Sequence, residues 1–172
     1  MVKKEHYTWK DIEHMIVTIN NLMFADNWRP DYIVGLTRGG LVPAVIMSNS
    51  TGIPMHTLDV RFRDNEEGEL GPESNTWMAE DAFNGKKILI LDDINDSGNT
   101  LNWIRKDWQN NCMPFDDKWD NVWGENVRVA TLMDNAASEF EWVDYTALEI
   151  DKRDNPVWIV FPWEGERDYG NF

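Results

Sequence analysis

The stretch Ile88 to Thr100, ILILDDINDSGNT, decides how the rest of the chain is read. Its head belongs to KKILIL (Lys86 to Leu91), apolar without alternation from Ile88 on, as a parallel strand buried on both faces requires. Its tail leads into TLNWIRKDWQ (Thr100 to Gln109), which predicts a helix. Ligands of open parallel sheets bind beyond the carboxyl ends of the strands, and DDINDSGNT stands at such an end. Gly98 lets the backbone turn sharply there. The backbone N–H groups of Asp96 to Thr100 point inward near the helix start, and the Ser97 and Thr100 hydroxyls add donors, which makes a site for a phosphate monoester. Asp92 and Asp93 accept only, once ionised, so they suit the diol of a sugar or an Mg²⁺ ion. Asp96 lies between sugar and phosphate and can exchange a proton. Residue types alone also fit a plain N-capped turn.

Outward from this loop the periodicities alternate between strand and helix. Thr8 caps a helix with Asp11 three positions on, and Trp9, Ile12, Ile16, Ile19 and Met23 form its apolar face. DYIVGL (Asp31 to Leu36) reads as a buried strand, LVPAVIMSNSTG as a helix ending near Gly52, and MHTLDVRF (Met55 to Phe62) as a strand. Arg63 to Gly85 is polar, acidic and weakly periodic, which predicts a long loop: a flexible lid, a solvated insertion or a simple β-hairpin. FDDKWDNVWGEN reads as an irregular insertion. VRVATLM (Val127 to Met133), YTALEI and VWIVF (Val157 to Phe161) complete the strands. The expectation is α/β: a single domain over 1–172 with a central, mostly parallel sheet flanked by helices.

The 172 residues suffice for one core, and 42% hydrophobic content excludes a disordered chain. A net charge of −15 argues against nucleic acid and acidic membranes as partners, since both are polyanions. The one cysteine, Cys112, allows no internal disulfide and lacks the context of a catalytic thiol. No apolar run reaches the roughly 20 residues of a membrane span, and MVKKEHYTWKDIEH has no signal-peptide core. Together these suggest a cytoplasmic protein. His6, His14 and His56 lack ligand spacing and read as structural or surface residues.

The pattern of apolar strand, Asp-Asp, apolar, any residue, Asp-Ser-Gly, any residue, Thr resembles the signature of type I phosphoribosyltransferases. That signature binds phosphoribosyl pyrophosphate (PRPP). The resemblance implies that Asp92 and Asp93 meet the ribose hydroxyls, that Asp96, Ser97, Gly98, Asn99 and Thr100 wrap the 5-phosphate, and that Asp96 is the general acid/base near purine N7. IVGLTRGGLVPA resembles the pyrophosphate loop of xanthine-guanine phosphoribosyltransferases. Thr37, Arg38, Gly39 and Gly40 would bind pyrophosphate, with Thr37–Arg38 a candidate cis peptide and Arg38 a catalytic charge. NPVWIVFPWEGE resembles the hood of purine members. Trp158 would stack on the base, the Trp158 and Ile159 backbone would read its edge, and Glu164 would join Asp93 near the metal.

A core at about 26–150, a hood from the N-terminal and about 134–172 segments, and a lid at about 63–85 then follow, with Ser74, Asn75 and Thr76 as weak pyrophosphate donors. So do a purine base converted to nucleoside monophosphate and pyrophosphate, Mg²⁺ as cofactor, and a homo-oligomer, dimer or tetramer, with the aromatics of WDNVW at an interface.

One departure concerns the base. Oxopurine members of the family place a lysine at the end of the strand matching VRVATLM, whereas this chain has Asp134 and then Asn135. Three explanations stand: Asn135 acts by a one-residue shift, Lys152 or Arg153 of DKRD reaches in, or the substrate presents a donor at that point. A PRPP-binding regulatory protein without turnover is the alternative to the enzyme, and a phosphoribosyltransferase for another base is a third reading.

Overall fold

The computed structural model describes residues 2–60 and 75–165. In chain order they form β1 (Lys3–His6), α1 (Trp9–Ala25), β2 (Tyr32–Thr37), α2 (Leu41–Thr51), β3 (Met55–Asp59), α3 (Thr76–Phe83), β4 (Ile88–Asn95), α4 (Asn99–Asn111), a 3-10 helix (Asp117–Asn121), β5 (Val127–Asn135), β6 (Tyr145–Ile150) and β7 (Val157–Val160). Five strands lie parallel in the order β3-β2-β4-β5-β6, and β1 pairs with β7 in a separate two-stranded parallel sheet.

The unbroken apolar run of β4 is explained by its place at the centre. Leu89 and Leu91 pack with α1 and α2 on one face, while Ile88 and Ile90 pack with α3 and α4 on the other. The chain thus makes three layers, with two helices on each side of one sheet. Thr8 and Asp11 close a reciprocal capping box at the start of α1: the Thr8 hydroxyl accepts from the Asp11 N–H, and the Thr8 N–H donates to the Asp11 carboxylate at 2.7 Å. Ile12, Met15, Ile16, Ile19 and Met23 are its buried stripe. Trp9, expected in that stripe, is exposed and rests against Trp163, ring centroids 6.0 Å apart, because it lies in the first turn, beyond the sheet's cover. α2 ends at Gly52 in the left-handed conformation (φ 72°).

Three elements differ from the expectation. The C-terminal part of the predicted loop is helix α3, which buries Met78, Ala79 and Ala82 against β4 and α4; two of those three are alanines, too small to register as an apolar stripe. The rest of the predicted lid, with Ser74, lies outside the described residues. β1 is charged and mostly exposed, and the hydrogen bonds of β7 hold it in place. The insertion at 115–126 contains the 3-10 helix. Trp119 and Val122 are buried in the core, with the Trp119 indole donating to the Cys112 carbonyl at 2.7 Å, and Trp123 is half-buried against the same cluster, so the WDNVW aromatics do not form an exposed patch.

The strand order carries the functional geometry. From β2 the chain moves outward to β3, then returns across β2 to β4 and continues through β5 to β6. The sheet reverses direction between β2 and β4, and crevices open at that switch point beyond the carboxyl ends. The loops that follow β2 and β4 both lie there.

Candidate active site

At the switch point the β2–α2 loop packs on the end of β4 through glycines. A Cβ on Gly40 would overlap the Leu91 carbonyl oxygen and come within 2.9 Å of Asp92 Cα; a Cβ on Gly39 would overlap the Asp93 carboxylate. These two positions admit no side chain, so the loop's main chain lies directly against the acidic pair. The Thr37–Arg38 peptide is cis, at the bond the resemblance indicates. Thr37 Oγ1 donates to Asp59 Oδ1 at 2.9 Å, and Arg38 is exposed beside the crevice.

Across from it, β4 runs two turns of pleat further than expected, through Asn95, so that DDIN is strand and Asp96 to Gly98 form the turn. Gly98 caps α4 at φ 87°, and any Cβ there would overlap the Phe140 backbone nitrogen. The Ser97 hydroxyl accepts from the Asn99 N–H at 3.3 Å. An open cleft is lined by Asp92 and residues 94–101. The first-turn N–H groups of α4 have no partner within the helix and face this end, which suits an anion.

Asp92 and Asp93 lie at the base of the cleft with perturbed acidity. Burial, reinforced by the neighbouring Asp93 charge, raises Asp92 well above the ordinary carboxylate value. Burial also pushes Asp93 up to about 6, against hydrogen bonds that pull it down, and the nearby Glu164 charge adds to the rise. Glu164 is held by the Phe161 N–H, which donates to Oε2 at 3.1 Å. Among the described residues no three acidic or histidine side chains converge as a ready metal cage. Asp93 and Glu164 nevertheless fit a hard divalent cation that draws its other oxygens from a phosphorylated ligand, because two buried or crowded carboxylates repel each other until a cation lies between them.

The β5 side is organised by side chains. Asn95 donates to Asp134 Oδ1 at 2.8 Å and to the Phe140 carbonyl at 2.9 Å, and accepts from the Ser138 hydroxyl at 2.8 Å. Asp134 is thereby part of a clip that ties residues 134–140 to the end of β4, and burial raises its pKa above the ordinary carboxylate value. Asn135 is the residue that faces the acid/base candidate. Its Nδ2 donates to Asp96 Oδ1 at 3.1 Å and to the Asp96 carbonyl at 3.2 Å, while its Oδ1 accepts from the Lys152 N–H at 3.1 Å. The Lys152 ammonium donates to Asp96 Oδ2 at 2.7 Å. Arg153 instead forms a bidentate pair with Asp151 at 2.7 and 3.0 Å. In β7 the alternation buries Val157 and Ile159 and turns Trp158 outward, 60% exposed. The segment 152–164 is therefore anchored at one end on Asp96 and at the other beside Asp93, with Trp158 between.

Residues 1–169 match the phosphoribosyl transferase domain family. The chain belongs to that family. It is 40% identical over 143 residues to a xanthine-guanine phosphoribosyltransferase of Cereibacter sphaeroides, a match covering 83% of this chain and 72% of the relative. It is 28% identical over 121 residues to xanthine phosphoribosyltransferase 1 of Saccharomyces cerevisiae, covering 53% of this chain and 58% of that protein. The crystal structure of a purine phosphoribosyltransferase from Pyrococcus horikoshii superposes with a TM-score of 0.66 at 25% identity, covering 95% of this chain and 96% of that one.

As a phosphoribosyltransferase-family chain it brings both glycine loops, the acidic pair, Asp96 and Glu164 to one end of the sheet. Sequence reading missed how residues 134–140 are fixed. Asn95 reads as a spacer in DDIND, and its three bonds to Asp134, Ser138 and Phe140 involve residues some forty positions away with no local signature.

Proposed function

We propose that this chain transfers the 5-phosphoribosyl group of PRPP to a purine base, releasing pyrophosphate and a nucleoside monophosphate. The observation that carries the reading is the pairing of two glycine-built loops on neighbouring strands at the switch point, with Asp96 at the rim between them and the base-side segment 152–164. The kinship with a xanthine-guanine phosphoribosyltransferase supports a purine of the oxopurine class.

The loop from Asp96 to Thr100 holds the 5-phosphate through main-chain N–H groups and the Ser97 and Thr100 hydroxyls. Asp92 and Asp93 accept from the ribose hydroxyls. On the far side of the ribose, the Gly39 and Gly40 main chain and the Arg38 guanidinium meet the pyrophosphate and stabilise the charge it gains as the C1–oxygen bond breaks. Trp158 offers a ring face to the base, and the Ile159 main chain reads its edge. Asp96 accepts the proton at N7 as the base acquires positive character. Asp93 and Glu164 would hold Mg²⁺ with oxygens of the pyrophosphate, and the ion's chemistry there is neutralisation of the leaving group.

The test is incubation with PRPP and Mg²⁺ against xanthine, guanine, hypoxanthine, adenine and orotate, following pyrophosphate release and the nucleotide formed. Turnover on a purine with no activity towards orotate is expected, and chelation of divalent cations should stop it. PRPP binding without turnover on any base would overturn the reading.

A further inference from the structure

The base side of the cleft lacks a cation at the end of β5, where Asp134 is clipped to Asn95 and Asn135 presents a neutral amide. The structure brings a cation from elsewhere. Lys152 lies in the β6–β7 connection, and its ammonium reaches Asp96 Oδ2 at 2.7 Å with its side chain only 21% exposed. Asn135 builds this arrangement by binding both partners at once: it donates to Asp96 and accepts the Lys152 N–H. Three residues from three separate segments are thus fixed as one unit, with the carboxylate and the ammonium side by side.

A purine presents a matching pair. On the edge that carries N7, a 6-oxopurine sets a carbonyl oxygen beside N7, whereas a 6-aminopurine sets an amine donor there. An ammonium has three donors and no acceptor, and Asp96 uses one of the three in the free protein. The remaining donors suit a carbonyl oxygen and are repelled by an amine. Arg153, the other candidate in the same turn, is already committed in bidentate fashion to Asp151.

We propose that Lys152 is the specificity-determining residue for the base: with Asp96 opposite N7, its ammonium binds the 6-oxo oxygen, and Asn135 is the positioning residue that holds the two in register. The inference rests on the site being one for purine phosphoribosyl transfer. It transfers the recognition of the 6-position from the end of β5 to the next connection along the sheet edge.

The test compares wild type with Lys152→Met and Lys152→Arg in the full chain. Three quantities are measured: kcat/KM for hypoxanthine and guanine, the inhibition constant of unsubstituted purine, which lacks a 6-oxo group, and the Kd of PRPP. Lys152→Met should lower kcat/KM for both oxopurines by about 10- to 100-fold, the range for a lost charged hydrogen bond. It should leave the purine inhibition constant and the PRPP Kd within about threefold of wild type, since neither ligand contact involves the 6-position. Lys152→Arg should recover part of the loss. Equal losses for hypoxanthine and unsubstituted purine would overturn the inference, because Lys152 would then act only through Asp96. Unchanged oxopurine kinetics in Lys152→Met would overturn it as well, with the purine phosphoribosyltransferase reading intact. Absence of turnover in the wild type would instead remove that reading, and this inference with it.

Discussion

The two halves of the sheet's carboxyl edge are built from different materials. On the β2–β4 side the working surface is main chain. Gly39, Gly40 and Gly98 are packed so closely against Asp93, Leu91 and Phe140 that no side chain fits, and the groups proposed to bind anions are backbone amides. On the β5–β7 side the working surface is side chains reaching across long sequence separations: Asn135 to Asp96, Lys152 to Asp96, Trp158 outward from β7. A main-chain site is the same whatever the neighbouring residues are, so it suits a ligand that never changes. A side-chain site can be re-supplied from another segment, so it suits the half of the reaction where the ligand varies. The role proposed for Lys152 would be an instance of that freedom.

The comparison can be broken most directly on the main-chain side. Gly40→Ala forces apart the β2–α2 loop and β4, and displacements of about 1 Å in a positioning element cost about 100-fold in rate. Turnover should fall at least that far and PRPP binding should be lost by calorimetry, with far-ultraviolet circular dichroism retained. A Gly40→Ala protein with ordinary PRPP affinity would mean that the contrast between the halves is wrong.

Asp96→Asn tests the residue where the halves meet. It removes the proton acceptor but keeps the size, so kcat for purine transfer should fall about 100-fold, within the usual range for a lost general base, while PRPP Kd moves by less than about threefold. Loss of PRPP binding in parallel would place Asp96 wholly on the main-chain side.

Trp158→Ala should act on the side-chain half alone. Base–aromatic stacking is worth about 1–3 kcal/mol, so KM for the base should rise roughly tenfold with KM for PRPP unchanged. A smaller effect belongs to the rim of the fold. Thr8→Ala opens the capping box of α1 and should lower stability by about 1 kcal/mol in denaturant titration. The Asp11 carboxylate is held below its ordinary pKa by the Thr8 N–H and hydroxyl. Its contribution is therefore present above the unfolded value and lost as pH falls through the folded one. The acid limb of the stability curve should be shallower in the variant than in the wild type.

The same division governs how much could be read in advance. The order of strand, turn and helix around DDINDSGNT was legible because each choice is local, an apolar run, a glycine at φ 87°, a helix starting at once, although the strand continues through the acidic DDIN that breaks the apolar run. The glycine loop after β2 was legible for the same reason, and the cis peptide before Arg38 through the family resemblance. α3 was not, because alanines supply most of its buried face. β1 was not, because KKEH has no strand pattern of its own and is extended only through its pairing with β7. On the base side, the position after which to expect a cation was readable, but the choice among Asn135, Lys152 and Arg153 was not. That choice depends on where the β6–β7 turn lands and on Arg153 being tied to Asp151 in the folded chain.

The pairing of β1 with β7 also has a temporal consequence. Lys3 to His6 wait for partners, Val157 to Val160, that are synthesised about 150 residues later. A growing chain can form β2, β4 and the glycine turn that follows β4 from neighbouring segments, before the strand that carries Trp158 exists. Closing so large a loop adds little to the free-energy cost, which rises only as the logarithm of its length, but it makes this step the slow, high-contact-order one. Birth order therefore runs from the glycine-built half to the side-chain half, so that on the proposed function a nascent chain would gain the means to bind PRPP before the means to use it.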